Sequence, residues 1–223
     1  MAQYVEPQYH ESGMLSSRTR MRMVDRLRQA GICDERVLAA MFEIPRHIFV
    51  DQALATRAYD DLSLPIGHAQ TISQPFIVAR MTELLFANRL AGKILEVGTG
   101  CGYQTAVLLK MGAEVYSIER LSALLEKARK NLRTVGLTRA RLVHGDGHIG
   151  LPEAAPFDGI LVTAAAQTTP QALLAQLSPK GGCLVMPVGN TEQHLWRIEK
   201  TSQGLQRTKL DSVKFVPLLP GRD

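Results

Sequence analysis

Residues 94–107 of the 223-residue chain read "ILEVGTGCGYQTAV". An apolar run enters Gly98, Gly100 and Gly102 and passes straight into a helical pattern. Glycines at a strand-to-helix turn let the backbone approach a ligand and take positive φ at little steric cost. Glu119 closes the next apolar run about twenty residues on, where an acid receives ribose hydroxyls. Dinucleotide and adenosyl sites share that acid, but the glycine spacing separates them. A dinucleotide loop, G-x-G-x-x-G, wants a third glycine where this chain has the bulky Tyr103. Glu96, just before the loop, would repel a pyrophosphate but accept hydrogen bonds from an ammonium group. A cationic adenosine compound, S-adenosyl-L-methionine, satisfies both acids. "GDG" at 145–147 adds Asp146 and Gly147 after a third apolar run. Asp146 either accepts from the adenine amino group or is a turn aspartate.

A second candidate is Ser73 in "QTISQP", directly before the helical pattern "FIVARMTELLF". Neither a Ser-His-Asp arrangement nor a G-x-S-x-G elbow surrounds it. Two readings stay open: a working hydroxyl, or the N-cap of the helix that begins at Gln74 or Pro75. His47 and His68 invite an acid–base role, but lone histidines are mostly structural or solvated. Cys33, Cys101 and Cys183 are odd in number and far apart, so no disulfide framework is implied. No C-x-x-C or H-E-x-x-H occurs, and no metal is expected.

These residues need a scaffold that brings them together. Helical spacing predicts helices over Ser17–Ala30 (stopped by Gly31, with Met21, Val24 and Leu27 inward), over "DERVLAAMFEI" with Asp34 as N-cap, and to about Asn88. From there strands and helices alternate. "KILEVG", "EVYSIE", "RLVHGD", "FDGILVTAA" and "GGCLVMPVG" read as strands. "YQTAVLLKMG", "SALLEKARKNLRTVG" (Ser122 as cap) and "PQALLAQL" read as helices, and residues 192–218 as further strands. Such alternation specifies a doubly wound, Rossmann-like α/β sheet with right-handed crossovers. The N-terminal helices are then an appendage over the carboxyl ends of the strands, where such sheets bind ligands.

With 45% hydrophobic and 21% charged residues the chain is a globular protein, and no run reaches the ~18 apolar residues of a membrane span. The first residues lack a signal-peptide layout, so a cytoplasmic location is expected. Net charge is +5, and Arg18, Arg20, Arg22, Arg26 and Arg28 crowd one segment. With few aromatics there to stack on bases, these arginines read as the solvated face of a helix rather than a nucleic-acid footprint.

The chain closely resembles the protein-L-isoaspartate O-methyltransferases along nearly its whole length. "EVGTGCGY" looks like that family's first methyltransferase motif; "IPRHIFVD", "AYDDLSLPIGHAQTISQP", "FDGILVTAAA" and "VKFVPL" look like its other blocks, in order. Leu219 follows "FVPL", where some eukaryotic-type members carry threonine. The resemblance implies methyl transfer from S-adenosyl-L-methionine to the α-carboxylate freed when an aspartyl or asparaginyl residue isomerises. The methyl ester then collapses to a succinimide, whose hydrolysis returns some normal linkage, so the family serves protein repair. The resemblance makes Ser73 the catalytic serine and places Thr71, Ile72 and Gln74 beside the methionine end of the cofactor. It also implies that Val216, Pro217 and Leu218 line the peptide-binding edge, and that the sheet has a distinctive strand arrangement at its carboxyl end.

A substrate carboxylate, with an ordinary pKa of about 4, is ionised at neutral pH and needs no general base. The expected division is 1–73 as a helical cap over the site, 74–190 as the cofactor-binding core and 191–223 as strands completing one structural domain. A monomer acting on isoaspartyl proteins and peptides is expected, with no membrane and no specific nucleic-acid partner. An RNA methyltransferase and a non-catalytic adenosine-binding module are the alternatives; a nicotinamide dehydrogenase ranks below them because of Glu96 and Tyr103.

Overall fold

The computed structural model describes residues 17–87 and 92–223. Two helices open it, α1 (Ser17–Gln29) and α2 (Glu35–Glu43), followed by 3₁₀ turns at Arg46–Phe49 and Gln52–Arg57. A short hairpin, β1 (Leu64–Gly67) and β2 (Gln70–Ile72), leads into α3 (Pro75–Phe86). The alternating part follows as β3 (Lys93–Val97), α4 (Tyr103–Lys110), β4 (Glu114–Glu119), α5 (Ser122–Thr134) and β5 (Arg141–His144). It continues through β6 (Gly159–Val162), α6 (Gln171–Ala175), β7 (Cys183–Gly189), β8 (Gln193–Thr201) and β9 (Gly204–Val213).

The large sheet runs in the order β5-β4-β3-β6-β7-β8-β9. Its first five strands are parallel, and β8 and β9 are added antiparallel through consecutive hairpins. Strand order therefore reverses between β3 and β6, the crevice where open α/β sheets bind ligands. Alternate side chains feed two cores. Ile94, Val115, Leu161 and Val185 pack with α3, α4 and the N-terminal helices. Leu95, Val97, Tyr116, Ile160 and Leu184 pack with Leu173 and Leu174 of α6.

Several local expectations change. α1 buries Met23, Val24 and Leu27, whereas Met21 lies 46% exposed, since at 100° per residue it falls off the stripe that the other three share. Arg20 of the same helix donates to the carbonyls of Phe42 and Glu43, Arg26 to that of Tyr59, and Arg28 pairs with Asp25 and Glu35. Three of the five clustered arginines thus tie the fold together. α3 ends at Phe86, and Asn88 lies outside the described residues. Ser122 is the first residue of α5 rather than its cap; its N–H is met by Asp223 Oδ1 at 3.0 Å. Asp34 does cap α2, accepting from Arg36 N at 2.9 Å.

Helices α1 and α2 pack beside α3 and α4, and none of their residues lines the crevice. Of residues 17–73, the part that lines the crevice is the β1–β2 hairpin, with Ser73 just after it. The hairpin turn holds Gly67, His68 and Ala69 at φ of +95°, +53° and +54°. Among the described residues no helix is long and apolar enough to cross a membrane, and no group of three His, Cys, Asp or Glu is placed to hold a metal.

Candidate active site

The glycine loop leaves β3 with Gly98, Gly100 and Gly102 at φ of +95°, +54° and +89°. A Cβ on Gly98 would meet Thr163 Oγ1 at 2.3 Å. That hydroxyl, at the end of the neighbouring β6, donates to Gly98 O at 2.8 Å and Val97 O at 3.1 Å and so pins the loop from the side. Asn131 of α5 holds the Cys101 carbonyl at 2.9 Å from the other side. Glu119, only 6% exposed, accepts from Gly100 N at 2.9 Å through Oε2 and from Leu121 N at 3.0 Å through Oε1. Each oxygen keeps a further lone pair for a ligand hydroxyl.

Glu96 stands elsewhere than expected. Its pleat position, two residues from Ile94, turns the carboxylate under the loop toward α4. There Thr105 Oγ1 and Ser117 Oγ both donate to Oε2 at 2.5 Å, while Oε1 has no hydrogen-bond partner among the described residues. Ser117 also bonds Thr99 of the loop at 2.6 Å. Glu96 is fully buried and lines no part of the cleft, so it braces the loop and does not reach a ligand's ammonium group. Burial pushes its carboxyl up to about 8 against the pull of the two hydroxyls.

For Asp146 the contacts favour the turn reading. Its Oδ1 accepts from His148 N at 2.8 Å and its Oδ2 from Gly221 N at 2.7 Å, and it does not line the cleft. Burial works to raise its carboxyl, but these N–H groups outweigh that and hold it below the ordinary range. It is the turn aspartate, and it also ties down the C-terminal tail. Gly147 does line the cleft; a Cβ there would meet Val97 Cγ1 at 2.5 Å. The tail itself passes alongside, with Ala165 N donating to Val216 O at 2.8 Å and Leu218 N to Ala165 O at 2.7 Å. Val216, Pro217 and Leu218 thereby form one wall.

Thr71 and Ile72 at the end of β2, and Ser73 after it, also line the cleft, whereas Gln74 is the N-cap residue of α3 and does not. Ser73 lies outside the cap position, and its hydroxyl has no hydrogen-bond partner among the described residues. The first free amide of α3, Phe76 N, is taken by Asp61 Oδ1 at 2.8 Å, so that group is not left for an anion. His47 is bound to the Tyr59 hydroxyl at 2.7 Å, and His68 sits exposed in the hairpin turn; neither lines the cleft.

Together these residues line one open cleft, with Glu119 and the glycine loop among its lining. Thr99, Thr163 and Asn131 are structural partners that the sequence reading did not single out. Thr163 carried a signal, a hydroxyl ending the apolar run of "FDGILVT".

A sequence model of the family described as Protein-L-isoaspartate(D-aspartate) O-methyltransferase matches residues 18–223. A protein-L-isoaspartate O-methyltransferase of Chromobacterium violaceum is 71% identical over 222 residues, covering 100% of both chains. A solved protein-L-isoaspartate O-methyltransferase superposes with a TM-score of 0.78 at 27% identity, covering 89% of this chain and 65% of that one. A Plasmodium falciparum structure assigned to the same activity, in complex with S-adenosyl-L-homocysteine, has a TM-score of 0.78 at 24% identity over 90% of this chain and 98% of that one.

Proposed function

The chain belongs to the protein-L-isoaspartate(D-aspartate) O-methyltransferase family, and from that premise we propose which residues carry the reaction. The enzyme transfers the methyl group of S-adenosyl-L-methionine to the free α-carboxylate of isoaspartyl residues in damaged proteins. The resulting ester collapses to a succinimide. The cleft suits the cofactor. Glu119 offers acceptor capacity beside a loop whose three positive-φ glycines leave the backbone bare. When bound, the cofactor supplies a methyl group on a sulfonium, open to attack by a carboxylate.

The protein's own part is placement. In this reading Gly98, Gly100, Gly102, Glu119 and Gly147 hold the cofactor, and Thr71 and Ile72 flank its methionine end. Val216, Pro217 and Leu218 hold the substrate backbone. Ser73 donates one hydrogen bond to a carboxylate oxygen and fixes its direction of approach. Bringing a carboxylate and a sulfonium together cancels charge, so a cleft emptied of water favours the transition state over the separated ions. The observation that carries this reading is Ser73, its hydroxyl unengaged, on the wall of the cleft that Glu119 and the glycine loop floor.

In the same reading, the β1–β2 hairpin is the part of 1–73 that covers the site, 74–190 is the cofactor core and 191–223 completes the sheet. A cytoplasmic monomer is proposed with it. The test is methyl transfer from labelled cofactor to two synthetic peptides that differ only in one isoaspartyl or aspartyl linkage. Base-labile label on the isoaspartyl peptide alone is expected; equal labelling of both would overturn the substrate assignment.

A further inference from the structure

Arg46 is the largest of the fully buried side chains described, at 0% exposure. It opens the 3₁₀ turn Arg46–Phe49, in the stretch "IPRHIFVD". Its Nε donates to Ala58 O at 2.7 Å and its Nη2 to Ser73 O at 2.6 Å. Its guanidinium carbon lies 4.7 Å from the centroid of the Tyr103 ring, while Nη1 is buried without a hydrogen bond. Among the described residues no carboxylate forms an ion pair with it.

Asp61 acts on it electrostatically without forming an ion pair, and a buried cation so weakly paired is an expensive way to fill space; apolar residues of similar volume commonly serve stability better. The contacts point to another use. Ser73 leaves the hairpin, and Tyr103 begins α4 directly after the glycine loop. Arg46 touches both. A hydrogen bond on the Ser73 carbonyl restrains ψ at that residue, and with it the path along which its Cα–Cβ bond enters the cleft. The planar fork does this together with stacking, which a lysine ammonium cannot reproduce.

We infer that Arg46 is a positioning residue for methyl transfer: its guanidinium clamps the Ser73 carbonyl against Tyr103 and so sets the Ser73 hydroxyl in register with the glycine loop. The inference rests on the role given to Ser73 above.

The experiment is a double-mutant cycle on the full chain, with Arg46→Lys, Ser73→Ala and both together. It reads kcat and KM on an isoaspartyl peptide, and Kd for S-adenosyl-L-homocysteine by calorimetry. Arg46→Lys is expected to lower kcat by about 10- to 100-fold, the cost of a misplaced group, with peptide KM and cofactor Kd within about threefold. In the Ser73→Ala background the same substitution is expected to change kcat by less than about twofold, because residues that act as a unit are not additive. Full activity in Ser73→Ala would remove the Ser73 reading and the inference with it. An impaired Ser73→Ala in which Arg46→Lys multiplies the loss undiminished would overturn the Arg46 inference alone. If Arg46→Lys loses its circular-dichroism signature, Arg46→Gln, which keeps one donor for the Ser73 carbonyl, replaces it in the cycle. Loss of fold in both variants would assign Arg46 to stability and overturn the inference.

Discussion

Asp61 Oδ1 accepts a hydrogen bond from Phe76 N at 2.8 Å, so the first turn of α3 is closed by a residue fifteen positions upstream. This contact separates two roles that the local sequence combines in Ser73. Asp61→Ala is expected to cost about 1 kcal/mol of stability, as loss of a capping acceptor does, with Asp61→Asn recovering most of it. Ser73→Ala is expected to leave the urea midpoint nearly unchanged and to lower kcat by about 10²-fold. Denaturation and initial-rate assays on the same three variants check both halves; a Ser73→Ala variant with normal turnover would sink the assignment.

Glu96 makes a pH dependence. Its carboxyl titrates near 8 in the folded protein, because of burial, and near 4.5 when unfolded. Between those values the native state holds a proton that the unfolded chain has released, so stability falls as pH rises, by up to about 1.4 kcal/mol per unit. Glu96→Gln keeps the shape, accepts from Thr105 and Ser117, and cannot ionise. The variant is expected to gain on the wild type steadily from pH 5 to pH 8 in urea titrations. A stability difference that does not change with pH would show that Glu96 is ionised in place.

Gly98 is held at φ +95°, and a Cβ there would sit 2.3 Å from Thr163 Oγ1. Gly98→Ala therefore strains the backbone and displaces the hydroxyl that pins the loop. Cofactor affinity is expected to fall at least about tenfold, since either effect costs of order 1–3 kcal/mol. Adding Thr163→Ala removes the clash but not the φ penalty, so calorimetry on the double variant should show only partial recovery.

Glu119 gathers two backbone N–H groups, from Gly100 and Leu121, onto one carboxylate. Glu119→Gln turns one acceptor into a donor facing an N–H. The expected outcome is a loss of about 1.5–3 kcal/mol in cofactor binding, or roughly 10- to 100-fold in Kd. Unchanged affinity for S-adenosyl-L-homocysteine would mean that this acid serves the loop and not the ligand.

The parallel half of the molecule was legible because its signals are local. Apolar runs mark β3, β4, β6 and β7, and the positive-φ glycines Gly112 and Gly136 stop α4 and α5 where the pattern ends. The β1–β2 hairpin was not legible, because its turn places His68 and Ala69 at φ values that usually call for glycine or asparagine. The tail partners of Asp146 and Ser122, Gly221 and Asp223, lie 75 and 101 positions away, and no window of sequence connects them, so the two readings of Asp146 could not be separated and Ser122 was misread as a cap. Glu96 could have been placed by alternation along β3, which puts it on the face of Ile94, turned away from that of Val97.

The wall formed by Val216, Pro217 and Leu218 arrives only after β7, β8 and β9 have been made. On the ribosome the glycine loop, Glu119 and Ser73 can assemble with the parallel strands well before that wall exists, at the usual 5–20 residues per second. A nascent chain at that stage has the glycine-loop side of its cleft but not the wall that the tail supplies. The cleft is thereby closed off last, by the final stretch of chain to be made.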